Sequence, residues 1–152
     1  MDVCLIEDVK QKETIARAVL EQLETWFGIE SSRENYIEQT RNEICFAVFE
    51  TDKPVGFISL KKTSEVTLEV AVMGVYIDKQ RKGYGHALLQ QAEIYAKNHG
   101  YKMLQVKTVA SGHYASYDQT NLFYQKEGFL PVEIFPTLWD AHNPCQLYVK
   151  CI

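Results

Sequence analysis

The spacing of apolar residues along the chain predicts helices that alternate with strands. Ile15, Val19 and Trp26 recur at helical intervals on one face, and Ser31 and Glu34 have the spacing of a capping box that starts a helix. The segments with the helical period are residues 11–27, 31–40, 83–98 and 120–127. In the third of them, the buried stripe is predicted to comprise Leu88, Leu89, Ala92, Tyr95, Ala96 and His99.

Apolar stretches between these helices predict strands. They cover residues 3–6, 43–50, 55–61, 66–77, 104–108, 129–135 and 146–152. Residues 51–54 predict a hairpin turn, and residues 136–144, which begin and end with proline, predict a loop. The order β-α-α-β-β-β-α-β-α-β-β contains one strand–loop–helix–strand crossover, whose two strands are expected to be parallel. The pattern therefore predicts a mixed α/β fold.

Length and charge narrow the class of protein. A chain of 152 residues fits one domain, since domains commonly have about 100–150 residues. The net charge of −4 carries no general signature of nucleic-acid binding. No apolar run approaches the roughly 20 residues of a membrane-spanning helix, and the N-terminus lacks the pattern of a signal peptide. We therefore expect a cytoplasmic protein with no membrane or nucleic-acid partner.

The four cysteines do not form a recognisable metal or redox motif. No pair among Cys4, Cys45, Cys145 and Cys151 has the Cys-x-x-Cys spacing. We expect them to be small buried side chains in a reducing compartment, with a disulfide framework or a zinc site as the alternative. No bound metal is expected.

The most informative segment is a basic glycine loop at residues 80–87, with the sequence QRKGYGHA. It follows a predicted strand and opens a predicted helix, whose first backbone N–H groups lack partners and carry about half a positive charge. Glycines allow the backbone to approach an anion closely, and Arg81 and Lys82 add positive charge. The alternative is a solvated turn. We expect the loop to bind a phosphate-bearing cofactor.

The glycine spacing distinguishes between cofactors. The chain has no P-loop pattern, and a dinucleotide fingerprint would need glycine where Leu88 stands. The remaining pattern, Gln-x-x-Gly-x-Gly from Gln80 to Gly85, resembles the acetyl-CoA signature of the GCN5-related N-acetyltransferases, the GNAT family. Ile77 departs from it, because many members have proline before the loop.

A second motif strengthens this resemblance. Residues 121–129, NLFYQKEGF, resemble the family signature Asn-x-x-Tyr-x-x-x-Gly-Phe, with Phe123 directly before the tyrosine. The resemblance implies that the hydroxyl of Tyr124 protonates the departing CoA thiolate and that Asn121 holds the pantetheine or its phosphate. The alternative is that Tyr124 only packs one face of a short helix.

The resemblance also implies a fold and a cofactor site. We expect one acetyltransferase domain over residues 1–152, with a mixed, mostly antiparallel central sheet, a splayed parallel pair of strands and flanking helices. A backbone N–H of Met73 or Val75 is expected to polarise the thioester carbonyl. The residues expected to bind the CoA pyrophosphate are Gln80, Arg81, Lys82, Gly83, Tyr84, Gly85, His86 and Ala87.

Glu69 is the candidate general base. It occupies the position of the base in the histone-type members of the family, and an amine that is protonated at neutral pH cannot attack a thioester. Burial in an apolar slot would raise the pKa of this carboxyl toward 6–7. The alternatives are His113 or ordered water as base, and a solvated or salt-bridged role for Glu69.

The resemblance therefore implies an N-acetyltransferase. The acetyl group of acetyl-CoA would pass directly to a primary amine of a small molecule or peptide in a ternary complex. A CoA-binding regulatory module without turnover is the alternative. The acceptor pocket is expected from the aromatic segments 26–29, 111–117 and 135–140, although Trp26 and Trp139 could equally be core residues. Exposed edge strands are compatible with a homodimer.

Overall fold

The computed structural model describes every residue of the chain, Met1–Ile152. The strands are β1 (Asp2–Ile6), β2 (Ile44–Glu50), β3 (Lys53–Lys62), β4 (Thr67–Val75), β5 (Met103–Val109), β6 (Leu130–Asp140) and β7 (Asn143–Cys151). The α-helices are α1 (Val9–Gln22), α2 (Glu24–Phe27), α3 (Glu30–Gln39), α4 (Tyr84–Asn98) and α5 (Ala115–Lys126). Two short 3-10 helices span Thr40–Asn42 and Ile77–Lys79. None of the helices has the length and apolar character required to cross a membrane.

The strands form a seven-stranded sheet in the order β1-β2-β3-β4-β5-β7-β6. The pairs β1–β2, β2–β3, β5–β7 and β6–β7 are antiparallel, whereas β4 and β5 run parallel. This arrangement confirms the mixed α/β fold with one parallel pair that the crossover predicted.

The chain divides into two compact units. The first comprises residues 1–61 and 70–95, and the second comprises residues 62–69 and 96–152. β4 contributes to both, because residues 67–69 belong to the second unit and residues 70–75 to the first. The expectation of one domain over the whole chain stays a prediction.

The core of the first unit is built by α1, α3 and the inner strands. Asp8 caps α1 by accepting a hydrogen bond from the backbone of Gln11 at 2.9 Å. The buried residues of this core are Ile6, Ile15, Ala16, Val19, Leu20, Leu23, Ile37, Cys45, Ala47, Phe57 and Val72. Trp26 is partly buried against them. The apolar spacing along α1 thus supplies one wall of a continuous core.

Two details of the predicted helices in this unit are wrong. The helix predicted over residues 11–27 is interrupted at Leu23, whose backbone leaves the helical region at φ −95° and ψ 51°. The capping box of Ser31 is absent because α3 begins one residue earlier, at Glu30. Its predicted partner Glu34 instead accepts two hydrogen bonds from Arg17 of α1, at 2.6 and 2.7 Å. Tertiary pairing therefore replaces the local cap.

The end of α4 and the start of α5 also differ from expectation. Leu88, Leu89, Ala92 and Ala96 are buried as predicted, but His99 lies past the end of α4 and is exposed. α5 begins at Ala115, five residues before the predicted start. The side chain of Asp118 accepts a hydrogen bond from Gly112 N–H at 2.7 Å, which ties the preceding loop to the first turn of α5.

The C-terminal strands are longer than predicted. Residues 136–144 are not a loop, because β6 continues to Asp140 and a tight turn leads directly into β7. Asp140 holds this turn by accepting hydrogen bonds from His142 N–H at 2.8 Å and from Asn143 Nδ2 at 2.9 Å. Proline is tolerated here because β6 is an edge strand. The apolar side chains that β6 exposes are Leu130, Val132, Ile134, Leu138 and Trp139.

The four cysteines are unpaired thiols. Cys45 and Cys145 are buried as expected, whereas Cys4 and Cys151 are exposed, so the prediction of burial is wrong for these two. Both exposed cysteines lie on strands whose outward positions are open.

Candidate active site

The predicted anion-binding loop joins β4 to α4 within the first unit. After β4 ends, Tyr76 N–H donates to Val55 O at 2.9 Å, and Ile77 N–H donates to the side chain of Gln22 at 3.0 Å. Gln80 Nε2 then donates back to Val75 O at 3.1 Å. The loop is therefore anchored at its start by backbone and side-chain hydrogen bonds.

The backbone conformation of the loop at the start of α4 suits the binding of an anion. Arg81 has φ 62° and Gly83 has φ 89°, so left-handed residues alternate with ordinary ones. Successive N–H groups in such a segment form a concave anion-binding nest. The hydrogen-bond ladder of α4 begins with Ala87 N–H donating to Gly83 O at 3.0 Å, so the ladder does not use the amides of Tyr84 and Gly85. These amides can bind an anion.

Charge around the loop is distributed unequally. Arg81 and Lys82 are exposed, as is His86. Lys79 Nζ, by contrast, lies 2.7 Å from Glu50 Oε1, and the hydroxyl of Tyr84 donates to Glu50 Oε2 at 2.5 Å. These contacts lower the pKa of Glu50, chiefly through Lys79, and raise the pKa of both Lys79 and Tyr84.

An open cleft of roughly 750 Å³ lies beside the first turn of α4 in this unit. It is lined on one side by residues 1–4 and on the other by α4 residues that include His86 and Ala87. A ligand on the first amides of α4 would have this cleft next to it.

The last part of β4 packs tightly against its neighbours. Met73 is half-buried and Val75 is buried. A Cβ atom at Gly74 would lie 2.8 Å from Leu23 Cδ1, and one at Gly56 of β3 would lie 2.9 Å from Gly74 O. Two glycines therefore allow β3, β4 and α1 to approach closely, which fixes the backbone of the strand predicted to contact the thioester.

Glu69 lies in the second unit, in a buried polar cluster. Its side chain is 5% exposed. Glu69 Oε1 accepts a hydrogen bond from Gln105 Nε2 at 2.7 Å and forms an ion pair with Lys107 Nζ at 3.1 Å. Gln105 and Lys107 are two residues apart on β5 and so share one face of the sheet. Both contacts favour the ionised carboxylate. The expected burial is present, but a cation accompanies it.

Tyr124 also lies in the second unit, on α5, and its ring is buried among aromatic side chains. The ring centroids of Phe123, Phe129 and Tyr148 are 5.4, 5.7 and 6.0 Å away. The hydroxyl of Tyr124 forms no hydrogen bond with another residue. Burial, with a smaller contribution from Tyr117, raises its pKa, so the hydroxyl keeps its proton through the neutral range.

Asn121, one turn before Tyr124, is fully engaged by the protein. Its Nδ2 donates to Val109 O at 2.9 Å and to Tyr117 O at 2.6 Å, and its Oδ1 accepts a hydrogen bond from the hydroxyl of Tyr148 at 2.5 Å. Asn121 and Tyr148 are each 1% exposed. The amide therefore joins α5 to the end of β5 and to β7, and its expected contact with pantetheine stays a prediction.

The predicted site residues fall into two groups. Met73, Val75 and residues 80–87 belong to the first unit, whereas Glu69, Asn121 and Tyr124 belong to the second. His113, the alternative base, is exposed on the loop before α5. Trp26 is partly buried, and Trp139 is 43% exposed on β6.

Sequence reasoning missed the partners of these residues. Glu50, Lys107 and Tyr148 lie 27 or more residues from Lys79, Glu69 and Asn121, the residues that they contact. Only one signal was available: Gln105 and Lys107 alternate with buried Leu104 and Val106 on β5, which marks a polar face of that strand.

Comparisons with known proteins identify the family. The profile of the Acetyltransferase (GNAT) family matches residues 12–129, more than half of the chain. None of the curated proteins matches the sequence. Solved structures with a similar fold share less than a quarter of their residues with this chain.

A protein from Desulfovibrio desulfuricans that is assigned to the GNAT family has a TM-score of 0.82 and 19% identity, covering 99% of both chains. An aminoglycoside 6'-N-acetyltransferase complexed with coenzyme A has a TM-score of 0.74 and 18% identity, covering 99% of this chain and 97% of that one. A GNAT family acetyltransferase from Elizabethkingia anophelis with acetyl-CoA bound has a TM-score of 0.67 and 22% identity, covering 87% of this chain and 89% of that one. The matched profile, with the glycine loop and the Asn-x-x-Tyr motif inside it, shows that the chain belongs to the acetyltransferase (GNAT) family.

Proposed function

We propose that this protein transfers the acetyl group of acetyl-CoA to the primary amine of a small molecule or peptide, by direct attack in a ternary complex. The observation that carries this proposal is the hydroxyl of Tyr124, which is protonated and has no protein partner in a buried aromatic cluster. Arg33 Nε is the one buried side-chain nitrogen or oxygen without a partner, so the Tyr124 hydroxyl is open to solvent and to a ligand that replaces the solvent. Its position in the second family motif points to proton donation.

The glycine loop supports acetyl-CoA as the donor. The left-handed residues Arg81 and Gly83 and the first amides of α4 form a concave set of donors suited to a diphosphate. The exposed side chains of Arg81 and Lys82 add charge at the rim. Structures of similar fold contain coenzyme A or acetyl-CoA, which agrees with this choice of donor.

The proposed reaction balances with two proton carriers. The amine nitrogen forms a bond to the acetyl carbon as the carbon–sulfur bond breaks, and no acetyl group is attached to the protein. The substrate ammonium first loses one proton to Glu69, which passes it to solvent, and after attack the nitrogen loses its second proton by the same route. Tyr124 donates its proton to the leaving thiolate, and exchange with solvent resets both groups.

The raised pKa of Tyr124 constrains this step. A tyrosine with an ordinary pKa near 10 can protonate a thiolate whose conjugate acid has a pKa of about 8.5 only if the two values lie close together. The burial that raises the pKa of Tyr124 also disfavours a thiolate formed next to it, so the gap between them narrows. Transfer of the proton therefore requires direct contact between the Tyr124 hydroxyl and the CoA thiolate, without water between them.

Amines are favoured as acceptors for a chemical reason. A neutral amine nitrogen can attack the acetyl carbon directly, and the carboxylate of Glu69 is the proposed acceptor of the protons that the nitrogen loses. Aminoglycoside acetyltransferases are among the proteins of similar fold. A small polyamine-like or aminated sugar acceptor and an amino terminus both fit this chemistry.

Binding and turnover are tested separately. Calorimetric titration with acetyl-CoA, with ATP and NAD as controls, is expected to show binding of acetyl-CoA alone. A panel of amines is then tested by detecting the acetylated product by mass, because the exposed Cys4 and Cys151 would react with thiol reagents used to follow CoA release. Tyr124→Phe is expected to lower kcat by about 100-fold or more, while the matched change Tyr101→Phe, at a half-buried position before β5, has no effect.

The outcomes distinguish the proposed enzyme from its alternatives. Binding of acetyl-CoA without turnover on any amine would favour a regulatory module. Binding of ATP or NAD in its place would refute the cofactor assignment. Turnover that is unchanged in both Tyr124→Phe and Glu69→Gln across the pH range would refute the roles of these residues.

A further inference from the structure

One carboxylate holds both ends of the glycine loop. Lys79 is the last residue of the 3-10 turn before the loop, and Tyr84 is the first residue of α4 after it. Glu50, at the end of β2, binds Lys79 through Oε1 at 2.7 Å and Tyr84 through Oε2 at 2.5 Å. Residues 80–83 therefore form a short arch, and both ends of this arch are tied to β2, a strand that is remote from it in sequence.

The arch contains a conformation that the chain would not adopt without support. Arg81 has φ 62°, in the left-handed region that a residue with a Cβ atom disfavours. Tyr84 is 8% exposed, and the hydrogen bond to Glu50 fixes the orientation of its ring as well as its hydroxyl. Fixing the two ends limits how far Arg81 and its neighbours can relax.

The negative charge of Glu50 allows two possible roles, repulsion of the ligand and positioning of the loop, to be distinguished by experiment. A carboxylate next to an anion site repels a diphosphate, so a purely electrostatic view predicts that its removal would strengthen binding. Glu50 is, however, paired with Lys79 and also lies near enough to Lys82 for that cation to lower its pKa. The carboxylate thus neutralises Lys79 and leaves Arg81 and Lys82 to attract the ligand.

We infer that Glu50 is a positioning residue for the diphosphate of CoA, acting through Lys79 and Tyr84 on the backbone amides of the loop. The inference rests on the proposed function for its ligand, but the arch itself is a property of the free protein. Preorganised donors bind more tightly because the ordering of the loop is already complete before the ligand arrives. Glu50 does not touch the reacting atoms, so its loss is expected to affect binding of CoA and not the chemical step.

Three variants separate positioning from repulsion. Glu50→Ala removes both contacts, Glu50→Gln keeps one uncharged acceptor oxygen for Tyr84 or Lys79, and Tyr84→Phe removes one contact. Glu65→Gln is the matched control, because Glu65 forms a comparable ion pair with Lys62 at 2.9 Å outside the loop. For each variant the dissociation constant of CoA, the KM for acetyl-CoA and kcat are measured, together with amide hydrogen exchange of residues 79–86 in the free protein.

Glu50→Ala is expected to weaken CoA binding by about tenfold and to raise KM for acetyl-CoA by the same factor, with kcat within about twofold of wild type. Tyr84→Phe is expected to have a smaller effect in the same direction, and Glu50→Gln to stay within about threefold of wild type. Amides of residues 79–86 are expected to exchange faster in Glu50→Ala than in wild type or in Glu65→Gln. CoA affinity that is retained in Glu50→Gln but lost in Glu50→Ala indicates positioning. An unchanged kcat in Glu50→Ala excludes a general structural defect.

Tighter CoA binding in Glu50→Gln, or unchanged exchange and unchanged CoA affinity in Glu50→Ala, would overturn the inference. Failure of the wild-type protein to bind CoA would refute the proposed function and the ligand named here. If wild type binds CoA and Glu50→Ala binds it equally well, only the role of Glu50 is refuted. The two failures are therefore distinguishable. Circular dichroism of Glu50→Ala, with Glu50→Gln as the milder change, establishes that the variants are folded.

Discussion

Tyr124 and Tyr148, whose ring centroids are 6.0 Å apart, should differ in whether loss of the hydroxyl lowers turnover or stability. Tyr148 donates to Asn121 Oδ1 at 2.5 Å, and both residues are 1% exposed, so no water can replace the lost bond in Tyr148→Phe. Tyr124 has no hydrogen-bonding partner, so Tyr124→Phe removes none. The first change should therefore reduce stability, and the second should reduce turnover.

The magnitude follows from the burial of the abandoned oxygen. A buried acceptor left without a partner costs about 1–3 kcal/mol, so we expect Tyr148→Phe to lower the free energy of unfolding by about 2 kcal/mol. Gln125, which also donates to the Tyr148 hydroxyl at 3.2 Å, is exposed and can turn to water at little cost. For a domain of this length the change in melting temperature is roughly 4–8 °C. Tyr124→Phe should stay within about 0.5 kcal/mol of wild type.

Urea denaturation at neutral pH, followed by circular dichroism, measures both variants. The slope with urea should stay constant, so that a shift in midpoint reports stability. A double-mutant cycle with Asn121→Ala should show coupling of about 1 kcal/mol between Asn121 and Tyr148. The reasoning is refuted if Tyr148→Phe costs less than about 0.5 kcal/mol, or if Tyr124→Phe costs as much as Tyr148→Phe.

Further predictions concern packing, thiol reactivity and acid stability. Gly56→Ala should lower the free energy of unfolding by about 1–3 kcal/mol in urea denaturation, because its methyl group would lie 2.9 Å from Gly74 O. Alkylation followed by mass spectrometry should modify exposed Cys4 in the native protein but Cys45 only after unfolding, because burial raises the pKa of Cys45 to about 12. The pKa of Glu34 is held below its usual 4.5 by its arginine partner, so its contribution is present above pH 4.5 and lost as pH falls. Glu34→Gln should therefore lose less stability than wild type between about pH 6 and pH 3, measured as urea midpoints.

The sequence predicted those features that depend on short stretches of chain. The helical period around Leu88 and Ala92 identified α4, and the glycines at 83 and 85 located the loop before it, because both signals lie within one element. The Asn-x-x-Tyr motif located Tyr124 on a helix for the same reason.

Features that depend on distant pairing were not predictable. Leu23 has an apolar side chain at a helical interval, yet its backbone turns away from the helix and its N–H bonds to Leu20 O. Pro136 and Pro144 suggested a loop, but Pro136 lies on the edge strand β6, where proline is compatible with a strand, and Pro144 is the second residue of β7.

The same limit applies to the site. The ion pair of Glu69 with Lys107 depends on how β4 and β5 are placed in the sheet, and the hydrogen bond of Asn121 with Tyr148 depends on the position of β7. Neither relation leaves a local pattern in the sequence. The expectation of a base in an apolar slot therefore identified burial correctly but could not include the lysine.

The exposed edge of β6 has a consequence for the behaviour of the protein at high concentration. A strand at the end of a sheet offers N–H and C=O groups to any second chain, and a row of apolar side chains strengthens such contact. Pro131 and Pro136 interrupt the row of donors, because proline has no N–H to offer a growing intermolecular sheet. Pro136, at which the predicted strand ended too early, thus acts with Pro131 as protection of this edge against polymerisation, and variants made for crystallisation or immobilisation should retain both.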